Sequence, residues 1–173
     1  MDFSDPRISQ SNEHNPPASR SYRRRTSRPS HFVDAAPFRA WLCYIIDSTH
    51  LPWRAVALIA QVPPTVIYTL LFGRYGQHLS TIRRQDAEAL LSITFSRIDE
   101  ISSTDIDVDL VRPYLFSLMS HKHGISKIAS YLNTTMHRAA DILDKEVDHC
   151  PLVFLYRAQA ACQAFELAPV ELV

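Results

Sequence analysis

The residues that could do covalent or metal chemistry are histidine, cysteine and aspartate, and their spacing decides against both. His121 and His123 form an HxH pair near Asp105, Asp107 and Asp109 in the sequence, a donor set of the kind that can hold a divalent cation. Side chains two apart on a helix diverge, so the pair could share a metal only if the helix ended by His121. His149 and Cys150 are neighbours and Cys162 sits within AQAACQAF, but adjacency in sequence does not put a base within hydrogen-bond reach of a thiol. These cysteines read as small core residues. Together with Cys43 they form no CxxC pair and no Cys/His set of zinc spacing, the usage of a reduced, intracellular chain. The glycines are only Gly73, Gly76 and Gly124, where average usage would give about twelve, so neither a dinucleotide fingerprint nor a P-loop can be written. No enzyme, metal or cofactor is expected.

The chemistry that remains is that of arginine. Lys plus Arg and Asp plus Glu both total 18 over 173 residues, but the charge is unevenly placed. Six arginines against Asp2, Asp5 and Glu13 give residues 1–33 a net charge of +3, residues 34–97 carry +2, residues 98–110 carry −5 and residues 111–173 are neutral. Within SRSYRRRTSRPS, Arg20, Arg23, Arg24, Arg25 and Arg28 stand among hydroxyl residues, which suits a polyanion or a basic-directed kinase. With few large apolar side chains, residues 1–33 are expected to be a disordered Arg-rich tail. MDFSDPRISQ is no signal peptide and no window approaches 18 apolar residues, so a cytoplasmic protein with no membrane partner is expected.

An apolar content of 46% is enough for a core, and the apolar spacing is helical. Phe38, Trp41, Leu42, Ile45 and Ile46 recur at steps of three and four. Pro52 opens a second helix to about Ala60, Pro63 and Pro64 start a third over 65–72 closed by Gly73, and a fourth runs over 83–93. Trp41, Tyr44, Trp53 and Tyr68 fall at helical spacing, which favours core over ligand stacking. The acidic stretch 98–110 reads as a linker, extended in part, that could fold back on the basic tail. The second half then repeats the first. Phe38-Arg39-Ala40-Trp41-Leu42 aligns with Val111-Arg112-Pro113-Tyr114-Leu115 at an offset of 73, and His50 with His123. At an offset of 72, Val56-Ala57 aligns with Ile128-Ala129, Leu70-Leu71 with Ile142-Leu143, and Ala87 with Gln159.

The aligned positions belong to one motif, two short helices joined by a tight turn, with Val56, Ala57, Ala60, Val62, Ile67 and Leu70 answered by Ile128, Ala129, Leu132, Thr134, Ala139 and Ile142. Crossing helices approach most closely at Ala57 and Ala129, where a larger side chain would hold them apart. This pattern resembles the helix-turn-helix transcriptional regulators, repressor-like and of the actinobacterial or actinophage type, with Gly73 after the second helix. At the turn the chain departs from the family's usual glycine, carrying Gln61 and Asn133. The fold expected is all-α: two small multi-helix helix-turn-helix-like domains, 34–97 and 111–173, after the disordered tail.

The resemblance implies double-stranded DNA as partner, met by the start and outward face of the second helix. Pro64, Thr65, Tyr68 and Thr69 would then face bases in the first copy, and Thr135, His137 and Arg138 in the second. With no Arg, Lys, Asn or Gln on its second helix, copy one would read by hydroxyl, methyl and ring contacts. Arg54, Arg74, Arg83 and Arg84 would face phosphates, as would Arg23, Arg24 and Arg25 of a flexible arm. Asp141, Asp144, Glu146 and Asp148 weaken that case for copy two, leaving open a role in homodimer or protein-partner binding. A sequence-specific regulator acting by site occupancy is the expectation, and a helical protein-interaction module the alternative.

Overall fold

The computed structural model describes residues 31–170. The folded region is mostly helical, with two short antiparallel strand pairs. In the first half β1 (Phe32–Asp34) precedes three helices, α1 (Ala36–Thr49), α2 (Trp53–Ala60) and α3 (Pro64–Phe72); β2 (Thr81–Arg83), α4 (Arg84–Leu91) and α5 (Phe95–Ser103) follow. The second half runs β3 (Asp105–Asp107), a 3-10 turn (Val108–Leu110), α6 (Arg112–Ser120), α7 (Ile125–Leu132), α8 (Met136–Leu143), β4 (His149–Pro151) and α9 (Leu152–Ala164). Both halves thus share the order strand, three helices, strand, helix. Each closes its opening strand on its second: Val33 pairs Ile82 and Ile106 pairs Cys150, with Ile82 and Cys150 both buried.

Local sequence explains the breaks. Prolines near the starts of α1, α3 and α6 forfeit only amides that have no helical partner. Gln61 and Asn133 both take left-handed backbone, φ 56 and φ 58. The next amides close the same bond in both copies, Val62 N–H to Ala57 O and Thr134 N–H to Ala129 O, the five-residue return of a Schellman turn. The residues that replace glycine therefore adopt glycine's conformation, and the two turns share one geometry. Gly73, φ 75, ends α3 and leads into a tight turn in which Tyr75 and Gly76 both have positive φ, bridged between Arg74 and Gln77.

A second shared device ties each half together. The Arg39 side chain donates from Nε to Leu70 O at 2.8 Å and from a terminal nitrogen to Leu79 O at 2.7 Å. Its counterpart Arg112 donates from Nε to Leu143 O at 3.2 Å and pairs with Asp109 at 3.0 Å. Each arginine thus supplies a proton to a carbonyl in the last turn of the helix after the tight turn, where helical partners run out.

Two boundaries and one pairing of the repeat differ from the sequence reading. Residues 98–110 are not a linker: they form the rest of α5, β3 and the 3-10 turn. Ile98, Ile101 and Val108 are buried while Asp99, Glu100, Asp105, Asp107 and Asp109 are exposed, so the charge run masked an amphipathic segment. Phe32 and Val33, placed in the tail, belong to β1, a strand too short to show alternation. Arg23, Arg24 and Arg25 lie outside the described residues. The pairing of Ala87 with Gln159 also shifts: the connection over 73–80 shortens to 144–148 in the second copy and α8 is shorter than α3, so α4 and α9 start at Arg84 and Leu152 and Ala87 answers Leu155.

The halves are not independent domains either. Val153 and Ala160 of α9 complete the core of the first half, while Ala158, Ala161 and Cys162 belong to that of the second. Burial pushes the Cys150 and Cys162 thiols up to about 11, at Cys150 against the opposing pull of Arg138.

Candidate nucleic-acid interface

The outward face of α3 is set by what its inward face buries. Ile67 and Leu70 are fully covered, which turns Thr65, Tyr68 and Phe72 outward by helical geometry. Tyr68 and Phe72 remain 50% and 55% exposed. They pack with Trp53 from the start of α2, the ring centroids 5.1 to 6.2 Å apart. Arg54 lies with its guanidinium 4.2 Å from the Trp53 ring centroid, a stacked position that restricts its swing.

All of these groups but Phe72 line one groove of about 630 Å³. Pro64, Thr65, Tyr68, Thr69 and Gly73 form its floor and wall, and Arg54 and Arg74 its rim. No carboxylate lines it. Arg74 is exposed, with its guanidinium 5.3 Å from the Tyr75 ring centroid, on a turn closed by the Arg74 N–H to Gln77 O bond of 2.8 Å. The Thr69 hydroxyl donates to Thr65 O at 2.7 Å, leaving oxygen lone pairs to face outward.

The groove gathers six of the eight first-half residues picked from sequence. Arg83 and Arg84 instead line a separate depression of about 350 Å³ with His31, Phe32, Gln85 and Glu88, at the end of the strand pair. In the second copy the picks have internal partners. The Thr135 hydroxyl caps α8 by accepting the Arg138 N–H at 3.2 Å. The Arg138 guanidinium donates to His149 O at 3.3 Å, and His137 stands 3.5 Å from Asp141. His123 and His121 also have local partners: His123 faces Tyr131 and Phe165, and His121 Nδ1 is 3.0 Å from Ser117 O.

Two groove residues escaped the sequence reading. Trp53, whose spacing favours the core, is a half-buried wall of the groove; its place one residue before Arg54 at a helix start is the available signal. Gln163 reaches the groove from the end of α9, a contact between distant segments that no local pattern encodes. Comparison of the chain with family models, with curated proteins and with solved structures finds no match.

Proposed function

We propose that the chain binds double-stranded DNA and regulates transcription in the cytoplasm by occupying its site. The observation that carries this reading is the α3 groove: hydroxyls and ring edges able to contact bases lie between Arg54 and Arg74, with no acidic side chain on the walls. The repeated turn geometry supplies a second helix, α8, whose exposed His137 stands beside Asp141, and the acidic run Asp144, Glu146 and Asp148 follows it, with Lys145 paired to Asp109 at 2.6 Å. That mixture suits a supporting role, in protein or self-association, better than phosphate contact. The half-exposed Trp53, Tyr68 and Phe72 cluster favours one alternative, a face that docks a helix of a protein partner.

Anisotropy of labelled random duplex DNA with the full chain at several salt concentrations separates the two. Each phosphate contact adds about 0.9 to the slope of log affinity against log salt. Replacing Arg54 and Arg74 together by alanine lowers that slope by about 1.8 if both arginines meet phosphates. An unchanged slope, or no salt-dependent binding, overturns the proposal and leaves the docking face as the reading. The same titration with a chain lacking residues 1–30 tells the groove's contribution from that of the arginine run at 20–28.

A further inference from the structure

Arg157 is the one charged residue among the described residues that is buried, 7% exposed, and no hydrogen bond, ion pair or ring contact engages it. Desolvation lowers its pKa from the ordinary arginine range, with no acidic neighbour raising it. A guanidinium remains charged in a protein; among the described residues the sealed side-chain nitrogen without a partner is Trp41 Nε1, so the Arg157 stem is covered within an apolar helix, LVFLYRAQAACQA, while its unpaired head still reaches solvent.

Arg157 lines a cavity of about 650 Å³ between the two halves, a size that fits a small organic molecule. Ile46, Leu51, Ala160, Ala161 and Phe165 make its walls apolar, and Tyr131 of α7 lines it as well. Asp47 and His50 also line it, but neither comes within ion-pair or hydrogen-bond distance of Arg157. Trp53 and Arg54 belong to this cavity and to the α3 groove alike.

We infer that the cavity between the halves binds a small amphipathic carboxylate, its acid group paired with Arg157 and its apolar body against Phe165, Tyr131 and the alanine face of α9. A carboxylate matches the planar fork of a guanidinium, which donates two parallel hydrogen bonds to it. A neutral molecule of the same shape would cover the guanidinium and leave it unpaired. This inference stands apart from DNA binding, because occupancy of the cavity is read on the protein alone.

The test is isothermal titration of the full chain with benzoate, 4-phenylbutyrate and octanoate, each against its amide, alongside thermal melting. At least one carboxylate should bind at millimolar concentration or tighter, and about 10- to 100-fold more tightly than its amide, the worth of a charge-assisted pair. Arg157→Met keeps the length of the stem and removes the unpaired charge, so this variant should melt no lower than the parent and lose the carboxylate preference. Ala164→Trp, at an exposed position on the rim, should block binding with Arg157 intact. Equal binding of acid and amide, retention of the preference in Arg157→Met, or no binding by any of the three acids overturns the inference.

Discussion

Replacing Arg39 by methionine removes the fork that holds α3 to its own half while keeping the apolar stem in place. The guanidinium makes two charge-assisted bonds to backbone carbonyls, 2.8 Å to Leu70 O and 2.7 Å to Leu79 O. A hydrogen bond involving a charged group contributes about 1.5–3 kcal/mol, and the partner left behind loses more when it is buried. Leu70 is fully buried while Leu79 is only partly so, so water recovers a share at Leu79 O, and the two losses overlap because one side chain makes both. The expected destabilisation is about 2–4 kcal/mol. Arg112 makes one longer bond to a carbonyl, 3.2 Å, and a partly exposed pair with Asp109, so Arg112→Met should cost about 1–2 kcal/mol. Urea unfolding followed by circular dichroism gives both values, provided the m-value is unchanged. Arg39→Lys, which restores the charge but not the fork, should fall between. A cost below about 1 kcal/mol for Arg39→Met, or a larger cost at Arg112, would refute the view that these arginines anchor the last turns of α3 and α8.

Gly73→Ala forces a side chain into backbone of φ 75, ψ −175, with its Cβ 2.6 Å from Gln77 O. That region is nearly closed to other residues, so a loss of about 2–4 kcal/mol is expected, visible as a lower urea midpoint; a neutral result would mean that the 73–77 turn readily rearranges. The thiols give a chemical check on burial. Cys43 is exposed while Cys150 and Cys162 are buried and pushed up to about 11, leaving roughly one thiolate in a thousand at pH 8. Ellman's reagent should therefore titrate one thiol rapidly in the native protein and three in denaturant, and rapid reaction of a second native thiol would refute the burial of α9 and β4.

The parts of the fold legible in the sequence are those that local chemistry determines. Pro52, Pro64 and Gly73 mark helix ends by backbone geometry alone, and the small residues Ala57 and Ala129 mark close helix crossings. The turn at Gln61 was legible in position but not in conformation: glutamine is a poor left-handed residue, and the bonds of the turn, from Gln61 N–H to Leu58 O and from Val62 N–H to Ala57 O, hold it there. Of the site, Pro64, Thr65, Tyr68, Thr69, Arg54 and Arg74 were found because they share a helix face or flank it. Thr135 and Arg138 fitted the same pattern, yet the cap and the His149 carbonyl engage them, and spacing does not distinguish a hydroxyl that faces solvent from one that closes its own helix.

α9 shows why the division into domains was beyond a periodicity argument. A helix that packs on one side carries an apolar stripe, and the stripe announces a single core. From Leu152 to Ala164 the apolar residues instead run nearly all the way round, because Val153 and Ala160 meet the first core while Ala158, Ala161 and Cys162 meet the second. The repeat alignment assigned this helix to the second copy, the role that α4 plays in the first. In the fold α4 serves its own half and α9 serves both, so the copies share a core element. The same placement accounts for the lone arginine: a helix lodged between two halves can carry a cation into the cavity where they meet, and in the sequence Arg157 is simply a charged residue in an apolar run.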